Sequence, residues 1–172
     1  YKPTTNDANN SNSFIVRTRR DALFTVDALL IGDCCIEAIH SDSVKKLLRL
    51  VKIKEIYIEF RVPFEPEKIV GMVRLLQEHT DCKANIQLNM HFRLANNNNS
   101  TVVRTFDGLT ALSRLDLLCT LRSVREDSLT GRPLPNLRRL CLRRCDVGQV
   151  EPQAFRALSS SLAELDLGFN SL

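Results

Sequence analysis

A spaced set of leucines recurs along this chain, and no other feature limits its fold so strongly. The clearest copy is Leu162-x-x-Leu165-x-Leu167-x-x-Asn170-x-Leu172. Leu137-x-x-Leu140-x-Leu142-x-x-Cys145-x-Val147 stands 25 residues earlier, with cysteine at the polar position. Another 25 residues back come Leu112, Leu115 and Leu117, followed by Thr120 at that position. The N-terminal half carries the pattern more loosely. Val26-x-x-Leu29-x-Ile31-x-x-Cys34-x-Ile36 fits, Ile53, Ile56 and Ile58 have Arg61 at the polar position, and Ile86, Leu88 and Met90 keep only the alternation. Starts at 26, 53, 83, 112, 137 and 162 define about six units, at intervals of 27, 30, 29, 25 and 25.

Strand side chains alternate between faces, so the fourth and sixth positions of each unit point to one side of a short strand. Those apolar residues enter a core, and each strand is expected to pair in parallel with its counterpart in the next unit. One unit cannot bury its apolar face alone, so units must stack. The ninth residue turns the chain away, where an Asn side chain can satisfy backbone groups that would otherwise be buried unpaired. The expected class is α/β: a solenoid with a parallel β-sheet on its concave face and helices or short segments on its convex face.

The convex segments differ along the chain. Glu65 to His79 has Pro66 in its first turn and Ile69, Met72, Val73 and Leu76 at helical spacing. Ser43 to Leu50 is a shorter helix candidate, whereas the 25-residue units leave room only for a turn or short segment. Residues 1–13 are nearly all polar and read as a mobile lead-in, with residues 14–172 forming the repeats. Asn96 to Thr101 is a polar loop. The first and last residues both read as cuts, the last one inside a unit, so an isolated chain is expected to be marginally stable.

The C-terminal unit matches the leucine-rich-repeat consensus. Val150-Glu-Pro-Gln-Ala-Phe155-Arg-Ala-Leu158 and Phe106-Asp-Gly-Leu109 resemble the outer arm of the "typical" extracellular class, in which such a Phe packs as a spine on the convex side. The run Leu158-Ser-Ser-Ser-Leu162 before Leu165-Asp-Leu167 is similar to chaoptin-like adhesion proteins and Toll-receptor ectodomains. The resemblance covers residues 102–172 well and the N-terminal half only as a generic repeat. It implies an extracellular or cell-surface recognition module in adhesion or innate immunity, with a protein ligand. Sequons at Asn9, Asn98 and Asn99 agree with that, although Asn-rich runs also create sequons by chance. The long helical N-terminal units instead resemble cytosolic ribonuclease-inhibitor-type repeats, and the alternative is a cytoplasmic adaptor, such as the substrate-recognition arm of a ubiquitin ligase.

With 172 residues, 44% hydrophobic and 26% charged, the chain suits one globular domain. It contains no apolar run of about twenty residues that could span a membrane. Its net charge of +4 does not imply nucleic acid. Six cysteines, Cys34, Cys35, Cys82, Cys119, Cys141 and Cys145, permit disulfides but show no metal-ligand spacing. Cys34, Thr120, Cys145 and Asn170 take the ninth, structural position; Cys34 and Cys145 are expected to be reduced there. Cys141 and Cys119 are expected to lie too far apart to bridge. No nucleophile, phosphate-binding or metal motif is present, so neither catalysis nor a cofactor is expected.

Candidate binding residues therefore belong on the concave face. Arg138, Arg139, Arg143 and Arg144 flank one strand, Arg114 comes from the unit before, and Tyr57 and Phe169 extend the surface. Arg114, Arg139 and Glu164 should lie side by side across the sheet, and Arg144 should reach Phe169. The arginines suit an acidic protein surface or an anionic, sulfated glycan. The competing reading is a solvated face, with Arg139 paired to Glu164 and Arg114 to Asp116 or Asp107.

Overall fold

The computed structural model describes residues 15–18, 25–32, 39–60, 66–80, 85–91, 105–126 and 128–172. The apolar positions of the units become strands. The strands among the described residues are β1 (Ile15–Thr18), β2 (Thr25–Ile31), β3 (Lys52–Phe60), β4 (Asn85–His91), β5 (Leu112–Leu118), β6 (Ser123–Val124), β7 (Arg139–Cys141), β8 (Gln149–Val150) and β9 (Glu164–Asp166), of which β2, β3, β4, β5, β7 and β9 hold the repeated apolar positions. Seven of them form one sheet in the order β1-β2-β3-β4-β5-β7-β9. The last six run parallel, each beside the strand of this sheet that comes before it in the chain. The architecture is thus α/β with a mostly parallel sheet laid down in chain order. β1 departs from this: it pairs antiparallel with β2 and covers the first edge of the sheet.

Burial follows the pattern of first, fourth and sixth positions. Val26, Leu29 and Ile31, then Ile53, Ile56 and Ile58, then Leu112, Leu115 and Leu117, and Leu137, Leu140 and Leu142 are all in the core. Burying one such side chain stabilises by roughly 1.5–3 kcal/mol. The unit of β9, the edge strand of the described sheet, departs from this pattern. Leu165 is 41% exposed where its neighbour Leu140 is 0%.

The register agrees with the expected starts at both ends of the sheet. Val26 pairs with Ile53, Ile56 with Ile86, and Leu140 with Leu165. Between β4 and β5 it does not. Leu88 lies beside Leu115 and Met90 beside Leu117, with an irregularity between Ile86 and Gln87. Against the C-terminal units, the third strand is therefore displaced by two residues from a start at 83. A two-residue slide keeps every side chain on its own face, so alternation alone could not detect it.

Among the described residues two α-helices lie on the return path: α1 (Asp42–Leu50) and α2 (Pro66–His79). Ser41 caps α1, its hydroxyl accepting from the Val44 amide at 3.3 Å, and Asp42 complements the dipole in the first turn. Ile69, Met72, Val73 and Leu76 of α2 are fully buried, as their spacing predicts. In α1 Leu48 is buried but Leu47 is 55% exposed. The later units replace helices with turns, the short parallel pair β6–β8, and a 3-10 turn at Arg156–Leu158. Each enters its strand through a similar turn, in which Leu112, Leu137 and Leu162 donate their amides to the carbonyls of Leu109, Leu134 and Leu158. Phe106 and Leu109 are fully buried beneath that turn, and Phe155 is half-buried against the same core.

Candidate functional site

The strand residues that alternate with the buried fourth and sixth positions form the uncovered face of the sheet. One row across it is Leu30, Tyr57, Gln87, Arg114, Arg139 and Glu164. The next is Glu59, Asn89, Asp116, Cys141 and Asp166. Arg114, Arg139 and Glu164 are lateral neighbours as their equivalent positions require, and Tyr57 shares their row.

Charge on this face is largely compensated within it. Arg114 Nε donates to both oxygens of Asp116, at 3.1 and 3.0 Å, since residues two apart on a strand point the same way. This hydrogen bond to Asp116 raises the Arg114 pKa and keeps its guanidinium charged. Arg139 Nη1 lies 2.7 Å from Glu164 Oε2, and Arg143 Nε 3.5 Å from Asp166 Oδ2. Asp107 is engaged elsewhere: its Oδ1 accepts from the Thr130 hydroxyl and the Gly131 amide. Exposed pairs of this kind are worth about 0–1 kcal/mol each, so they set the pattern of the face more than its stability.

Arg138 does not belong to the row. It has the parity of the core-facing residues, and its exposed side chain folds back so that Nη1 donates to the Ser161 carbonyl at 2.7 Å. Phe169, 67% exposed, has Arg143 over its ring at 4.8 Å and Arg144 at 5.1 Å. Each of the five guanidiniums has a partner, although Arg139 Nε is buried without a hydrogen bond. Tyr57 donates its hydroxyl to the Glu55 carboxylate, and this bond, with burial and the carboxylate charge, raises its pKa above the ordinary tyrosine value. Cys141 lies between Asp116 and Asp166 in its row; burial foremost, then those two carboxylates, push its thiol up. That is the opposite of what a nucleophilic thiol needs.

Behind the face, the ninth positions act differently from unit to unit. Asn170 uses its whole amide: Nδ2 donates to the Leu142 and Leu167 carbonyls at 2.7 Å each, and Oδ1 accepts from the Cys145 and Val147 amides at 2.9 and 3.2 Å. Cys145 repeats one of these contacts a unit earlier, its Sγ donating to the Leu117 carbonyl at 3.3 Å. Thr120 does not take part. It is exposed, and the buried residue is Cys119, whose Sγ lies 3.9 Å from that of Cys145. The backbone explains the exchange. Arg144 and Phe169, just before Cys145 and Asn170, have φ of 56° and 58°, and this left-handed step turns the next residue inward. Cys119 makes no such step, so β5 runs on to Leu118 and the preceding position points in. Sequence reasoning missed Cys119 because the consensus counts residues and the backbone conformation decides depth. The hydrogen bond with Cys145, then burial, raise the Cys119 pKa and hold it as a thiol.

Among the described residues no cluster of His, Cys, Asp or Glu has the arrangement of a metal site, and no helix is long and apolar enough to cross a membrane. An open groove of about 710 Å³ lies among the outer segments of the units that start at 112 and 137, lined by Arg125, Glu126, Glu151 and Arg156 among others. Its charges are also paired, Arg125 with Glu151 and Arg156 with Glu126. Cys34 and the sequons at Asn9, Asn98 and Asn99 lie outside the described residues. Comparison with known proteins finds no matching family, no matching curated protein and no matching solved structure.

Proposed function

We propose that the chain is a leucine-rich-repeat solenoid of the extracellular, typical class, which binds a protein partner across the open face of its sheet without catalysis. The observation that carries this reading is the stacking of six parallel strands in chain order, with Asn170 and Cys145 each hooked onto the unit before. A rigid surface of this kind binds by complementarity over a large area rather than in a cleft. The face combines an exposed aromatic, Phe169, with alternating paired charges, which suits a protein surface of mixed polarity better than an anionic glycan.

Two measurements test the reading. Enzymatic removal of N-glycans from the native full-length protein is expected to lower its mass, with the change mapping to Asn98 or Asn99. No glycan, together with cytosolic fractionation, refutes the extracellular placement. Binding of the tagged protein to intact cells is expected to fall when Arg114 and Arg139 become Glu, and to persist when Arg125 does. Equal loss from both sets refutes the face as the site.

The two N-terminal return helices, α1 and α2, favour a second reading: a cytoplasmic adaptor built from ribonuclease-inhibitor-type units. Native protein without glycan, with all its cysteines freely alkylated, is the result that supports it.

A further inference from the structure

Cys119 and Cys145 come from adjacent units, 26 residues apart in the chain, yet their sulfurs are 3.9 Å apart in the core. Both side chains are buried, Cys119 at 7% exposure and Cys145 at 0%. The backbones are tied at this point, the Leu121 amide donating to the Cys145 carbonyl at 2.6 Å. A disulfide holds its two sulfurs about 2.05 Å apart, so this pair must close by roughly 2 Å. Rotation of the two side chains, with a small adjustment of the turns that carry them, closes that distance. Cys141 does not compete, because it points to the opposite face of the sheet. We propose that Cys119 and Cys145 are a redox modification site, forming a disulfide that fastens the unit of β5 to the unit of β7 when the chain meets a low-molecular-weight disulfide.

The chemistry is thiol–disulfide exchange in two steps. A local opening of the turn frees Cys119, the less buried residue of the two, from its contact with Cys145, and its thiol then loses a proton to solvent and attacks the small disulfide. A bond forms between Cys119 Sγ and one sulfur of that molecule, and the other leaves as a small thiolate that takes up a proton. Cys145 Sγ, losing its proton to solvent, then attacks Cys119 Sγ and expels the second small thiol. Two protein thiols are oxidised to one disulfide, and one small disulfide is reduced to two thiols. The new bond replaces the Cys145 Sγ contact to the Leu117 carbonyl. Burial and the raised Cys119 pKa make closure slower than at an exposed thiol. Once closed, the link shortens the unfolded chain's freedom and lowers the unfolded fraction, by more than about a hundred-fold for a loop of this size. The proposal rests on this sulfur geometry alone and not on the proposed binding role.

The test uses the full chain, reduced, freed of reductant and incubated folded with oxidised glutathione, then quenched in acid and mapped by non-reducing proteolysis. The expected product is a cross-linked peptide pair joining Cys119 to Cys145, with the loss of two hydrogens. Its urea midpoint should rise above that of the reduced protein and return on adding dithiothreitol. Cys141→Ser should leave the product unchanged, and Cys119→Ser and Cys145→Ser should each abolish the midpoint shift. Full alkylation of both cysteines after denaturation overturns the proposal. So does a glutathione adduct that never resolves, or a bond from either residue to Cys34, Cys35, Cys82 or Cys141.

Discussion

Asn170→Ala removes four hydrogen bonds at once, and the structure says which of them matter. Three of the freed groups, the Leu142 carbonyl and the Cys145 and Val147 amides, belong to residues with 0% exposure. The fourth, the Leu167 carbonyl, is in a half-buried residue where water can substitute. At about 1 kcal/mol for each of the three, the loss is about 3 kcal/mol. That corresponds to roughly a 150-fold rise in the local opening equilibrium, since about 1.4 kcal/mol is a factor of ten. The assay is amide hydrogen exchange by NMR, read at Cys145 and Val147, because their own N–H groups are the orphaned donors. Both amides should exchange about two orders of magnitude faster, while those of β3 stay unchanged. Asn170→Asp should be at least as harmful, setting a carboxylate oxygen against two carbonyls. Asn170→Cys should recover part of the loss, as the sulfur of Cys145 does at the Leu117 carbonyl. Protection of Cys145 and Val147 within threefold of the unmodified chain would refute the claim that this side chain holds the turn.

Leu140→Ala should cost about 2–5 kcal/mol in urea unfolding, because Leu140 is fully enclosed between neighbouring strands; Leu165→Ala should cost about 1 kcal/mol or less, and equal costs would contradict the open last strand. Arg139→Ala and Glu164→Ala should each change stability by under about 0.5 kcal/mol, their double mutant showing a small coupling that fades in high salt; a coupling above about 2 kcal/mol would mean that the pair is shielded from water. In an absorbance titration Tyr57 should ionise above the ordinary tyrosine value, and Glu55→Gln should bring it back down. Because the folded pKa is the raised one, the stability this bond contributes is complete below about pH 10 and is lost as pH rises through the folded value. An unshifted Tyr57, or one that Glu55→Gln does not move, would remove the bond from the account.

What the sequence determined by itself was local and periodic. The first, fourth and sixth positions marked where strands run and which side enters the core, because alternation is a property of any extended chain. Spacing also implied the lateral row of Arg114, Arg139 and Glu164, the reach of Arg144 to Phe169, and the helix at Pro66–His79. Tertiary structure decided whatever depends on how one strand settles against the next. The two-residue slide between β4 and β5 leaves alternation intact, so only the packing of Leu88 against Leu115 reveals it. The buried residue after β5 is Cys119 and not Thr120, because no left-handed step turns the chain before it. Arg138 looked equivalent to its neighbours until its guanidinium was seen on the Ser161 carbonyl. Charge in a sequence counts arginines; only the folded sheet brings Asp116, Glu164 and Asp166 within reach of them, because Coulomb attraction depends on separation in space and not along the chain.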